Sequence, residues 1–241
     1  MTFRMALIFL LAAGATAATA SEVPVEVAAS LGRGIEDLSN VVVRESITRF
    51  VADGLRARRV DQFHAVVELA DGLEHYSEIR KGGRNFGGAD QVEGLWSVGE
   101  LATVLRVTRD YLCEATEESL DGETVLQFHV SAASHRWFLK VDGKNTWLDF
   151  DGRLYRSRAT GAITRIEWIS APLNPATGID RVSWEIRFGR RNVAGRSYTV
   201  PEVSLYRITR PGPRIRTEWN VTSFLNYSRY GSEVNISFEE Q

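Results

Sequence analysis

Five Asp-Gly pairs, beginning at residues 53, 71, 121, 142 and 151, constrain the fold of this chain more than any other feature. Both residues of such a pair tolerate the positive φ angles that a two-residue type I′ turn requires, and this turn joins neighbouring antiparallel strands. Because the pairs lie between segments rich in apolar and β-branched residues, they predict an antiparallel sheet that is built largely from hairpins.

The segment from Asn145 to Ile169 shows this pattern most clearly. It is predicted to form three short strands, with one turn at Asp151-Gly152 and a second at Ala159-Thr160-Gly161. Its β-branched, aromatic and charged residues suit a pleated surface that is half exposed to water. A three-stranded meander is the smallest β unit expected to be stable in water, provided that it buries one face.

Alternating apolar and polar residues predict further strands on both sides of this meander. The strand predicted from Val41 to Val51 carries two polar exceptions, Glu45 and Arg49, on an otherwise apolar face. Other inward rows are predicted at Phe63, Ala65, Val67 and Leu69, at Val182, Trp184, Ile186 and Phe188, at Ile215, Thr217, Trp219 and Val221, and at Val234, Ile236 and Phe238. Altogether the pattern predicts about ten to twelve strands.

Two helices are predicted beside these strands. Within residues 24–38, apolar residues recur at helical spacing, at Val27, Leu31, Ile35 and Leu38. The segment Ser97-Val-Gly-Glu100 is a candidate capping box that opens a second helix, with Val98, Leu101 and Leu105 on one face. The chain is therefore predicted to be a single α+β, mostly β domain over residues 21–241, with the helices covering sheet.

Residues 1–20 are predicted to be a signal peptide. Arg4 supplies a positive charge, Met5 to Ala13 form a short apolar core, and Ala18-Thr19-Ala20 matches a small-x-small cleavage site. The apolar core is shorter than the roughly 20 residues that a membrane-spanning helix needs, so no transmembrane segment is predicted. We expect a bacterial protein that is exported, to the periplasm or beyond, and whose mature chain begins at Ser21.

Composition and motifs argue against several classes of function. The net charge of −2 and the pI of about 6.1 lack the basic excess of nucleic-acid-binding domains. No HExxH, G-x-S-x-G or S-x-x-K motif occurs, so no catalytic residue, cofactor or metal is predicted, and the protein is not expected to be an enzyme. The lone cysteine, Cys113, is expected to be structural. His64 and His75 flank one predicted hairpin, which leaves a zinc site as an alternative if they face each other.

The aromatic content of the inward rows allows two interpretations. Large aromatic residues are frequent on the predicted inward faces of the strands, among them Trp137, Trp168, Trp184, Phe188 and Trp219. They can form an ordinary filled core. Alternatively, the sheet is open and curved, and its concave face holds an apolar ligand beneath a helix or loop.

Several segments resemble the half-barrel family of periplasmic lipoprotein carriers and sensors, the LolA/LolB-like and RseB-like proteins. They also resemble uncharacterised secreted proteins of Acidobacteria, in which a helix precedes a long antiparallel sheet. The segments are Trp96-Ser-Val-Gly-Glu100, Leu154–Trp168 with its Thr160-Gly161 turn and Arg165-Ile166 pair, Trp184–Phe188, the Gly195 turn, Tyr198-Thr-Val-Pro201 and Asn226-Tyr-Ser-Arg-Tyr230. Two features depart from the pattern: a lipobox is absent, and Ser157 stands where an aspartate is expected.

The resemblance implies one large, curved antiparallel sheet, an open half-barrel whose concave face is apolar and is covered by the two helices. It implies a carrier-like protein that binds a lipid, an acyl chain or a lipoprotein without catalysing a reaction. The side chains expected to contact such a ligand are Trp137, Ile166, Trp168, Trp184, Ile186, Phe188 and Trp219. The alternative is an envelope protein with a filled core that interacts with, or senses, another protein. An exported hydrolase would need a cluster of acid, base or metal ligands that the sequence does not indicate.

Overall fold

A computed structural model describes residues 21–22, 41–88, 92, 100–106, 116–120, 122–132, 138–141, 144–193 and 195–229. The predicted signal peptide, the helix predicted within residues 24–38 and the strand predicted at residues 234–238 lie outside these ranges.

The described residues are mostly β-structure. The fourteen strands are β1 (Ser21–Glu22), β2 (Val41–Asp53), β3 (Arg56–Ala70), β4 (Leu73–Lys81), β5 (Arg84–Asn85), β6 (Thr116–Leu120), β7 (Glu123–Val130), β8 (Phe138–Val141), β9 (Lys144–Trp147), β10 (Phe150–Ser157), β11 (Ile163–Ser170), β12 (Arg181–Val193), β13 (Arg196–Arg210) and β14 (Arg216–Arg229). One α-helix, α1 (Glu100–Arg106), and one 3-10 turn, Pro175–Thr177, complete the described elements.

Twelve of the strands form one antiparallel sheet in the order β1-β6-β7-β10-β11-β12-β13-β14-β2-β3-β4-β5. The first and last strands of this order, β1 and β5, are edges, so the sheet is curved but does not close. The last described strand, β14, pairs with β2 and so joins the two halves of the sheet. Strands β8 and β9 form a separate hairpin. The prediction of one large, open antiparallel sheet is confirmed.

The prediction of two covering helices is not supported. Of the two, only α1 lies in the part of the chain that the structure describes, and it is seven residues long. Its Leu101 and Val104 side chains are buried, which agrees with a helix that packs on sheet. Ser97 and Val98, assigned to its capping box, lie outside the described residues.

Three of the predicted turns connect strands as expected. Asp53-Gly54 joins β2 to β3, and Asp71-Gly72 joins β3 to β4 with positive φ angles of 52° and 71°, as a type I′ turn requires. Gly161 closes the β10–β11 hairpin with φ of 69°, and its amide donates a hydrogen bond to the carbonyl of Ser157. Asp121 and residues 142–143 lie outside the described residues.

The turn predicted at Asp151-Gly152 is wrong, because both residues lie inside strand β10. Gly152 pairs with Phe128 of β7, and the Phe128 ring lies directly over it. A Cβ atom at residue 152 would stand 2.1 Å from this ring. The glycine therefore makes room for an aromatic side chain of the neighbouring strand, which is a second common reason for a glycine within a sheet.

The two faces of the sheet differ in burial. We call the face that holds Ile166 and Trp168 the covered face, and the opposite one the exposed face. Two hydrophobic clusters lie on the covered face. The large cluster comes mainly from β7 and β10–β13 and includes Val104 of α1. The small cluster comes from β2–β4, Leu101 of α1 and Phe224 of β14.

Candidate functional site

Four of the residues predicted to contact a ligand lie together on the covered face. Ile166 and Trp168 of β11 stand in register with Ile186 and Trp184 of β12. Their side chains are between 0% and 8% exposed, and the two indole rings meet edge to face at 5.0 Å. Phe188 packs against the same large cluster and is half-buried. We call Ile166, Trp168, Trp184 and Ile186 the apolar row.

The remaining two residues are not part of this arrangement. Trp137 lies outside the described residues. Trp219 lies on the exposed face, where its ring stacks on Phe50 at 5.3 Å. The inward row predicted on this strand is wrong: the buried side chains of β14 are those of Asn220, Thr222 and Phe224. Polar residues occupy the covered positions here, so hydrophobicity indicated the wrong face.

The covered face also holds a cluster of buried polar side chains between the two hydrophobic clusters. We call Glu45 of β2, Glu100 of α1, Ser204 of β13 and Thr222 of β14 the polar belt; each is at most 1% exposed. Trp184 Nε1 donates to Ser204 Oγ at 2.8 Å, and Ser204 Oγ donates to Glu100 Oε1 at 2.9 Å. This chain of hydrogen bonds connects the apolar row to the polar belt.

Glu45 is the most unusual member of the polar belt. Its Oε1 atom has no hydrogen-bond partner among the described residues, and the same is true of Thr222 Oγ1. Burial raises the pKa of Glu45 well above its ordinary value, and the nearby carboxylates of Glu100 and Glu74 raise it further. Glu45 is therefore a carboxylic acid that favours its protonated form, in which it can both donate and accept a hydrogen bond.

Glu74 of β4 connects the polar belt to helix α1. Its Oε1 atom accepts a hydrogen bond from the Ala102 amide at 2.9 Å, and its Oε2 atom accepts one from the Tyr76 hydroxyl. Burial, with the charges of Glu45 and Glu74, raises the pKa of Tyr76. Burial, followed by the charge of Glu45, likewise raises the pKa of Tyr227. These phenols therefore stay neutral and serve as hydrogen-bonding groups.

The chemistry available to the polar belt is hydrogen bonding and charge pairing. In the described ranges, no group of three or more His, Cys, Asp or Glu side chains could hold a metal ion. His64 and His75 do not face each other, because His64 pairs with Arg80 and His75 with Glu68 across the β3–β4 hairpin. His64 and His75 therefore do not form the zinc site that was considered as an alternative.

The covered face holds a second group of polar side chains, in which the negative charge of Asp61 is paired with the positive charges of Arg49 and Lys81. Arg49 Nε donates to Asp61 Oδ1 at 2.6 Å, and Arg49 Nη2 stands 2.5 Å from Asp61 Oδ2. Lys81 Nζ also approaches Asp61 Oδ2 at 2.6 Å. The Arg49 hydrogen bonds, helped by Lys81, lower the pKa of Asp61 from 3.8 to about 2.

A groove of about 810 Å³ crosses the exposed face. Its floor consists of two register rows, which are Gln127, Arg153, Glu167, Glu185 and Leu205, and His129, Asp151, Ile169, Ser183 and Arg207. Trp168 and Trp184 border it, although their side chains are buried on the covered face. Because charged side chains form much of its floor, this groove is not the apolar concavity that the family resemblance implies.

Sequence reasoning found the apolar row but missed most of the polar belt. Glu45 was visible as a polar exception on an apolar face, and Glu100 as part of a capping box. Nothing in the spacing of Ser204 or Thr222 connected them with either glutamate. The sequence does contain one usable signal. Asn220 and Thr222 of β14 are two residues apart, and an interpretation that placed these polar residues on the covered face would have predicted part of the polar belt.

No family model matches the chain, and no curated protein matches it. No helix in the described ranges is long and apolar enough to cross a membrane. Among solved structures, the chain is similar to a LolA superfamily protein from Nitrosomonas europaea, with 12% identity, a TM-score of 0.47, and coverage of 88% of this chain and 97% of that one. It is also similar to a DUF1329 family protein from Desulfovibrio piger ATCC 29098, with 14% identity, a TM-score of 0.40, and coverage of 89% and 95%. A LolA superfamily protein is thus among the structures that this chain resembles, as the sequence resemblance led us to expect, and the acidobacterial resemblance stays a prediction.

Proposed function

We propose that this protein is an exported, non-enzymatic carrier that binds a lipid or another molecule with a long acyl chain on the covered face of its sheet. The observation that carries this proposal is the apolar row, which helix α1 helps to cover through Val104 of the same cluster. A helix of seven residues has little stability of its own, since isolated helices shorter than about 12 residues are marginal in water. Helix α1 is therefore suited to act as a movable cover.

The energies of opening and binding are of similar size. Helix α1 is held by the buried Leu101 and Val104 side chains and by hydrogen bonds to Ser204 and Glu74. Two buried aliphatic side chains contribute about 1.5–3 kcal/mol each, and each hydrogen bond about 1 kcal/mol. A ligand recovers about 0.8 kcal/mol for each buried methylene, so roughly ten methylenes offset the release of the helix. We therefore expect long chains to bind and short chains to fail.

Quenching of tryptophan fluorescence by a brominated monoacylglycerol tests this proposal. A ligand on the covered face brings bromine close to Trp168, so the wild-type protein should be quenched, and Trp168→Phe should lose a clear part of the response. Trp219→Phe is the matched control, because this ring lies on the opposite face. The carrier proposal is overturned if no quenching occurs, or if Trp219→Phe loses the response and Trp168→Phe keeps it.

Export is the second part of the proposal, and it rests on the predicted signal peptide. Expression of the full chain in a Gram-negative host, followed by fractionation and N-terminal sequencing, measures it directly. A periplasmic product that begins at Ser21 is the expected result. A cytoplasmic product that still begins at Met1 would contradict export without bearing on ligand binding.

A second candidate function, interaction with an envelope protein, is favoured by the groove on the exposed face. Ile169 is 39% exposed at its floor, between Asp151 and Ser183 of the neighbouring strands, and a protein segment can contact this surface. Cross-linking to a purified candidate partner, compared between the wild type and Ile169→Glu, tests it. Loss of the cross-link in the variant alone supports this function, and equal cross-linking in both removes the groove from consideration.

A further inference from the structure

We propose that the polar belt is a head-group subsite of the carrier, and that it selects a chain ending in a protonated amine over one ending in a carboxylate or phosphate. This inference rests on the proposed function, because it requires that an apolar chain occupies the covered face. It goes further by naming the polar end of that ligand and the side chains that would recognise it.

The subsite stands where the apolar surface ends. One register row on the covered face runs through Leu126, Leu154, Ile166 and Ile186 and continues into Ser204 and Thr222. Neighbouring strands are about 4.8 Å apart, so the four apolar residues span about 14 Å. A chain that lies across these strands therefore brings its polar end to Ser204 and Thr222.

Two hydrogen-bonding atoms at this place point to a ligand group. Glu45 Oε1 and Thr222 Oγ1 are buried and have no hydrogen-bond partner among the described residues. Thr222 pairs with Ile47 across β14 and β2, and Glu45 is the next covered residue along β2, so the two side chains are diagonal neighbours. A buried polar atom without a partner is unfavourable, and one ligand group with several donors can satisfy both.

The charge around these atoms decides which group fits. The carboxylates of Glu45, Glu74 and Glu100 and the phenols of Tyr76, Tyr206 and Tyr227 interact with one another here. Two described cations act near this cluster, and both are paired: Arg49 of the same covered row with Asp61, and Arg191, whose charge acts on Tyr227, with Glu202. An anionic head group would add negative charge to a site of low dielectric constant, whereas an ammonium group would offset it.

An ammonium group also matches the hydrogen bonds on offer. It has three donors and no acceptor, and the two atoms without described partners are a carboxyl oxygen and a hydroxyl oxygen, which accept. Binding of the cation would stabilise the ionised form of Glu45, and the occupied site would then contain a buried ion pair. A neutral alcohol can make one such hydrogen bond without the charge pairing, and it should bind with intermediate affinity.

The experiment measures the affinity of the mature wild-type protein for dodecylamine, dodecanol and dodecanoate at pH 7, by calorimetry at concentrations below the critical micelle concentration of the two ions and below the solubility limit of the alcohol. We expect the amine to bind at least 100-fold more tightly than the carboxylate. Glu45→Gln keeps the size of the side chain and removes its charge, and it should reduce this ratio at least tenfold. Glu78→Gln, which removes an exposed carboxylate that does not line the groove, is the matched control and should leave the ratio unchanged.

The possible outcomes separate this inference from the proposed function. If all three amphiphiles bind with similar affinity, or if the carboxylate binds best, the head-group assignment is overturned and the carrier stands. If none of them binds, the carrier itself is overturned. An amine preference that Glu45→Gln leaves intact and that high salt removes is surface attraction, and it also overturns the assignment. The expected ratio together with its loss in Glu45→Gln supports it.

Discussion

Two polar residues of strand β2 share one buried face, and their surroundings are opposite. Arg49 is paired with Asp61 through two close contacts, and Lys81 adds a third. Glu45, four positions earlier, meets other carboxylates, and one of its oxygens has no partner among the described residues. The sequence presents both residues as the same kind of exception, a charge on an apolar face.

The difference separates a structural group from a candidate binding group. Removing one member of a buried ion pair destabilises the fold, because the charge of the other member stays buried without a partner. A buried carboxyl without a matching cation lowers stability, so its presence requires another reason. Groups with strongly shifted pKa values concentrate at functional sites for this reason. We therefore regard the Arg49 group as part of the scaffold and Glu45 as a candidate binding group.

The largest effect is expected from breaking the matched group. Asp61→Asn leaves Arg49 and Lys81 without their common anion, and both Arg49 and Asp61 have side chains that are about nine-tenths buried. Removing one partner of such a pair costs about 3–5 kcal/mol. We expect a loss near the lower limit, about 3 kcal/mol, because asparagine can still accept one hydrogen bond. Urea unfolding with an unchanged m-value measures it.

Glu78→Gln is the matched control for this loss. It removes the carboxylate of an exposed ion pair with Arg80, in which the atoms are 3.8 Å apart and both side chains are 59% exposed. Exposed pairs contribute about 0–1 kcal/mol, so the expected change is small. Equal losses in Asp61→Asn and Glu78→Gln would contradict the structural role given to the Arg49 group.

The next effect is the response of the matched group to acid. Arg49 and Lys81 lower the folded pKa of Asp61 from 3.8 to about 2. Because the folded value is the lower one, the ionised form stabilises the fold fully above about pH 4, and this contribution is lost as the pH falls through 2. Its size is on the order of 2 kcal/mol. Unfolding measured between pH 5 and pH 2 should show the wild type and Asp61→Asn converging; a constant difference would be evidence against this linkage.

The sequence allows one half of this comparison to be predicted, the pairing of Arg49 with Asp61, but not the surroundings of Glu45. Arg49 and Asp61 are twelve residues apart and lie on strands that the Asp53-Gly54 turn joins, so the hairpin register alone brings them together. Glu45 meets Glu100, which belongs to a helix far away in the sequence. Such a contact depends on how α1 crosses the sheet, which no local pattern encodes.

The same limit explains the other differences between expectation and structure. Alternation correctly predicted the strands and the faces of β11 and β12, because most of their covered residues, including Ile166, Trp168, Trp184 and Ile186, are apolar. It failed on β14, where the covered residues Asn220 and Thr222 are polar and Trp219 stacks on the opposite face. The Asp-Gly rule failed at Gly152 because this glycine does not form a turn. A glycine is needed there since the Phe128 ring of the neighbouring strand occupies the space of a Cβ atom.

The smallest effect, and the one that sharpens the contrast most, concerns Glu45. Its folded pKa is raised by burial and by the neighbouring carboxylates of Glu100 and Glu74. The stability associated with its protonated form is complete below its unfolded pKa and is lost as the pH rises towards the folded value. Glu45→Gln removes this loss. The variant should therefore match the wild type near pH 4 and become more stable above it, by on the order of 1 kcal/mol at neutral pH.

Urea unfolding of the wild type and Glu45→Gln at several values between pH 4 and pH 8 measures this gain. Its sign is opposite to that of Asp61→Asn, although both substitutions remove a carboxylate from the same region of the sheet. Glu185→Gln, on the exposed face, should show no gain that grows with pH. If Glu45→Gln were instead less stable than the wild type at pH 8, Glu45 would be stabilised by a cation, and the distinction between the scaffold charge and the site carboxyl would be lost.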